Sequence, residues 1–81
     1  MITVPTLAVI GPYRFSFFSV DRNEPAHVHV WRDDSSAKFW LNPVALAYSK
    51  GFSTNEVHRI QTLVIEYQQP WLEKWNGYFG R

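Results

Sequence analysis

The chain has 81 residues, a formal net charge of +1 and no cysteine. That length fits one domain. The missing thiols exclude disulfides, thiolate zinc sites and a cysteine nucleophile. The balanced charge gives no bulk electrostatic case for nucleic acid and leaves only a local basic patch to argue from.

A domain of this size buries only roughly 60–65% of its unfolded surface, so its core is thin. Four Trp, four Tyr and six Phe answer that limit with bulky rings. The segment Met1-Ile2-Thr3-Val4-Pro5 has no basic leader. No stretch reaches the roughly 18 apolar residues of a membrane span. The expectation is a cytoplasmic protein.

In chain order, Thr6 to Ile10 reads as a first strand and Gly11-Pro12 as a turn. Tyr13 to Val20 reads as a second strand, with Phe17-Phe18 marking a bulge or burial on both faces. Asp21 to Pro25 is a polar loop. His27 to Arg32 and Ala37 to Leu41 form a hairpin across Asp33-Asp34-Ser35-Ser36. Pairing Arg32 with Ala37 sets Val30 against Phe39 and Val28 against Leu41, with His29 against Trp40 on the other face.

Val44 to Tyr48 is a short strand or a helical turn. Ser53-Thr54-Asn55-Glu56 is a capping box, with Glu56 reaching back to the cap. The stripe Val57, Ile60, Leu63, Val64, Tyr67, Trp71, Trp75 and Tyr78 predicts one long helix bent near Pro70. The alternative is two helices meeting at Pro70.

The fold class is therefore α+β: an antiparallel sheet of three or four strands, covered on one face by a C-terminal helix. Val28, Val30, Phe39, Leu41, Ile60, Val64, Tyr67 and Trp71 are the expected core.

Strand parity puts His27, His29 and Trp31 on the face opposite Val28 and Val30. Lys38 and Trp40 join them, with Arg14, Ser16 and Phe18 if the earlier strand lies alongside. Rings and cations on one open face suit RNA, through base stacking and phosphate contact. The bland reading is that the tryptophans pack on each other or on a neighbouring chain.

The two imidazoles admit three readings. As acid and base they fit a metal-independent ribonuclease, with Glu24 orienting one ring and Lys38, Arg14 or Arg22 holding phosphate. As metal ligands they need a third or fourth partner, and Glu24, Asp21 and His58 stand at no diagnostic spacing, so no metal or cofactor is assigned. As structural groups they only satisfy local hydrogen bonds.

The ordered set Asn23-Glu24-Pro25-Ala26-His27-Val28-His29-Val30, Ala37-Lys38-Phe39-Trp40-Leu41, Pro43, Gly51-Phe52-Ser53, Trp75-Asn76 and Tyr78-Phe79-Gly80 resembles a family of small bacterial proteins. That family is catalogued as a domain of unknown function. The chain departs from the commoner pattern at Ala26, Asn42, Pro70 and Gly77. The resemblance implies a toxin-like component of a two-protein module, with a small co-encoded protein as partner. Joined to the sheet face, it leads to an expected action on RNA, with His27, His29 and Glu24 catalytic and Lys38, Arg14, Arg22, Trp31 and Trp40 binding substrate. A non-catalytic partner-binding module, as a monomer or a homodimer, and a metal-binding His-x-His protein are the alternatives.

Overall fold

The computed structural model describes residues 6–80. The reading of Met1 to Pro5 as lacking a leader lies outside them. Five antiparallel strands follow one another in space as in sequence: β1 (Thr6–Ile10), β2 (Tyr13–Ser16), β3 (His27–Arg32), β4 (Ser35–Leu41) and β5 (Val44–Lys50). A 3-10 turn (Ser19–Asn23) interrupts the sheet between β2 and β3, and α1 (Thr54–Glu66) and α2 (Gln68–Phe79) follow it.

The architecture is α+β, with five strands where three or four were expected. The added strand is the ambiguous segment after Pro43, which pairs along β4 as β5. The helix is also two. Its break falls at Tyr67, which ends α1 and opens α2. Pro70 therefore stands in the first turn of α2, where the missing amide would have no partner anyway.

The β3–β4 hairpin turns on Asp33-Asp34, with Asp33 at φ 54, a left-handed conformation that aspartate tolerates. Arg32 consequently pairs with Ser35, Val30 with Ala37, Val28 with Phe39 and His27 with Trp40. This corrects the expected register by two residues. A shift of two leaves every side chain on its face, so the face assignments survive.

One face of the sheet meets the helices. Tyr13, Phe15, Val28, Val30, Ala37, Phe39 and Leu41 bury there against Ile60, Val64 and Trp71, with Tyr67 partly buried beside them. Phe17 and Phe18 divide as two-sided burial requires. Phe17 packs on Trp75, Tyr78 and Phe79, whereas Phe18 lies against His29 and Trp31.

Ser53 accepts from the Glu56 amide at 3.1 Å, as the capping box requires. The Glu56 side chain does not return to the cap. It holds Arg32 through two 2.7 Å hydrogen bonds and accepts from the Tyr13 hydroxyl at 2.8 Å. No described helix is long and apolar enough to cross a membrane.

Candidate functional site

Cross-strand pairing assembles the second sheet face from three strands. Arg14 faces Trp31 and Ser16 faces His29 across β2 and β3, while Lys38 faces His29 and Trp40 faces His27 across β3 and β4. The two imidazoles thus share a face, with ring centroids 5.0 Å apart. That face is not open at His27, contrary to expectation, because three groups cover it.

The first cover is the 3-10 turn after β2. It brings the Asp21 carboxylate over the histidines, with Oδ2 3.0 Å from His27 Nε2 and 3.3 Å from His29 Nε2. The Phe18 amide donates to the same oxygen at 2.8 Å and fixes it. The second cover is Trp75 of α2, whose ring lies 5.0 Å from that of His27. The third is Trp40, at 5.7 Å. His27 has no accessible surface as a result.

The protonation pattern follows from the partners. His27 Nδ1 lies 2.9 Å from the Pro25 carbonyl, which can only accept, so Nδ1 carries the hydrogen. In the neutral ring, Nε2 then presents a lone pair toward Asp21. His29 lies against Phe18 and stacks on Trp31. Burial lowers its pKa below the ordinary imidazole value, against the opposing pull of Asp21.

Ser16 Oγ, His27 Nε2 and His29 Nε2 are buried without a hydrogen-bond partner. Such atoms are rare enough to require an explanation.

The other sequence-designated residues fall around this centre. Glu24 orients neither imidazole. It takes the Lys38 ammonium at 2.5 Å, and the same ammonium lies 4.5 Å from the centre of the Trp40 ring. Asp21, not Glu24, is the carboxylate beside the imidazoles. Arg22 is exposed on the 3-10 turn. His58 is exposed on α1 and does not join the cluster.

Arg14, Phe18 and Trp31 line a cleft of about 500 Å³ together with Val9, Pro12 and Arg32. Glu56 already engages Arg32. Arg14 is exposed and, among the described residues, has no acidic partner. Phe18 and Trp31 touch both His29 and the cleft, so the two sites share a wall.

Three residues shape the site in roles that the sequence did not assign them. Asp21 stood only as one acid among several, because the path of a polar loop leaves no periodic trace. Trp75 was assigned to the helix stripe, and Ser16 to the histidine face only if β2 lay alongside, as it does. The available signal was an acid in a tight loop shortly before a His-x-His strand.

The family model described as Domain of unknown function (DUF4160) matches residues 13–76, and the chain belongs to that family. The match contains the 3-10 turn, both histidines, Lys38, Trp40 and Trp75. No curated protein and no solved structure matches the chain.

Proposed function

We propose that this protein binds single-stranded RNA through the cleft lined by β2, β3 and Phe18, as the toxin-like member of a two-protein module. The carrying observation is the cross-strand pair of Arg14 and Trp31 inside a cleft of about 500 Å³. Directly opposed residues hold their Cβ atoms about 4.5–5.5 Å apart. A base stacked on the indole would therefore leave its phosphate within reach of an uncommitted guanidinium. The cleft volume lies within the usual range for ligand sites. The toxin-type module and its co-encoded partner come from the family resemblance.

The proposal is binding, not metal-free acid–base cleavage. The expected pairing of His27 with His29 as acid and base needs both imidazoles at the substrate, and His27 has no accessible surface. Trp40 and Lys38 are partly buried and committed to each other and to Glu24. They do not line the cleft and offer no free stacking face.

Fluorescence anisotropy of a labelled single-stranded RNA oligonucleotide tests the reading. Trp31→Ala should weaken binding by about 1–3 kcal/mol, the usual effect of losing one stacked base. Arg14→Ala should weaken it and flatten its salt dependence, while Arg22→Ala, outside the cleft, should leave it unchanged. An absence of saturable binding, or equal affinity in all three variants, contradicts the proposal.

A further inference from the structure

We infer that Asp21, His27 and His29 form a binding site for one divalent first-row transition ion of the zinc class. The inference is independent of RNA binding, because it rests on buried atoms and not on the cleft.

The two nitrogen–oxygen separations are those of co-ligands. Zinc bonds of about 2.0–2.1 Å place neighbouring donors about 3.3 Å apart at tetrahedral angles and about 2.9 Å apart at right angles. The two nitrogen–oxygen distances are 3.0 and 3.3 Å. All three ligand atoms lie within 4.8 Å of one another.

The directions agree with the distances. Neither Nε2 makes a hydrogen bond, although Asp21 Oδ2 is near both. An N–H on either ring would therefore not point at the carboxylate. Nitrogen and oxygen lie side by side, an arrangement that suits two donors to one ion better than a donor and its acceptor.

Groups that would hold these ligands are also in place. The Pro25 carbonyl holds His27 Nδ1–H and thereby turns Nε2 toward the centre. The Phe18 amide fixes Asp21 Oδ2. A carbonyl on the far imidazole nitrogen and a hydrogen-bonded carboxylate are the supports that metal ligands ordinarily have.

Two imidazoles and one carboxylate suit zinc, iron or nickel, whereas magnesium prefers an all-oxygen shell. Three protein ligands leave room for a bound water. Ser16 Oγ is buried, unpartnered and opposite His29 on this face, so it is placed to hydrogen-bond such a water.

The test uses the whole chain, stripped with a chelator, dialysed and titrated calorimetrically with zinc chloride and separately with magnesium chloride. One zinc per chain should bind. The melting temperature should rise by about 10–20 °C at free zinc a hundred times Kd, and magnesium should have no effect. Asp21→Asn and His29→Gln should bind zinc at least about 100-fold more weakly, beyond the usual effect of losing an outer-shell partner. His58→Gln should bind as the parent does.

If the variants misfold, cobalt added to the parent chain gives the answer: a tetrahedral visible spectrum that zinc displaces supports the site. Absence of saturable zinc binding, undiminished binding in folded Asp21→Asn, or magnesium binding as well as zinc overturns it.

Discussion

His27 is held from every side by groups distant from it in function. Pro25 takes its Nδ1 hydrogen, Asp21 stands at Nε2, and the indole of Trp75 closes the remaining side. Strand alternation placed this ring on the histidine face correctly. Periodicity did not show that the ring would be sealed, because two of the three sealing groups come from a loop and from the last helix. Trp75 joins both environments, since it packs on Phe17 and Phe79 as well as on His27. Trp75→Ala should therefore cost about 3–5 kcal/mol, the usual penalty for emptying a buried aromatic site. Urea unfolding measures this; a loss below about 1 kcal/mol would show that α2 does not anchor the site.

At the scale of elements, polarity patterns were legible and turn geometry was not. Alternation in β3 and β4 gave the right faces because a two-residue shift preserves parity. The register itself depended on whether Asp33 accepts a left-handed φ, which polarity cannot show. Likewise, the apolar stripe ran in phase through Tyr67, so the helix break there left no mark in periodicity. The tie between α1 and the sheet was also invisible. Glu56 has the sequence signature of a capping residue but joins Arg32 of β3 and Tyr13 of β2.

That tie makes a pH prediction. The Arg32 guanidinium, followed by the Tyr13 hydroxyl, holds the Glu56 carboxyl below its ordinary range. A carboxyl whose pKa is lower folded than unfolded stabilises the fold above its unfolded value, and that contribution is lost as pH falls through the folded value. Denaturant midpoints should thus decline below about pH 4.3. Glu56→Gln should remove part of this decline and be less stable at pH 7. A variant whose acid profile matches the parent's would show that the ion pair adds nothing.

The molecule as a whole is a sheet with unequal covers. Two helices bury one face, and on the other the 3-10 turn lies across β3 while α2 closes over His27. At the sheet margin β5 leaves Leu46 and Tyr48 exposed, at 42% and 48%. The turn has little apolar surface of its own, and Val20 in it is exposed. Its hold on the sheet runs through Asp21 and through Phe18 just before it. An ion shared by Asp21, His27 and His29 would link the turn to β3 directly, so metal binding would stabilise this whole side of the fold.

The most direct measurement of that central claim is a long-range proton–nitrogen spectrum of the imidazole rings, recorded before and after one equivalent of zinc. The account predicts that His27 keeps its hydrogen on Nδ1 throughout. The Nε2 resonances of His27 and His29 should move together to metal-bound positions, with His58 unchanged. A His27 that carries its hydrogen on Nε2, or a spectrum in which only His58 responds, would contradict it.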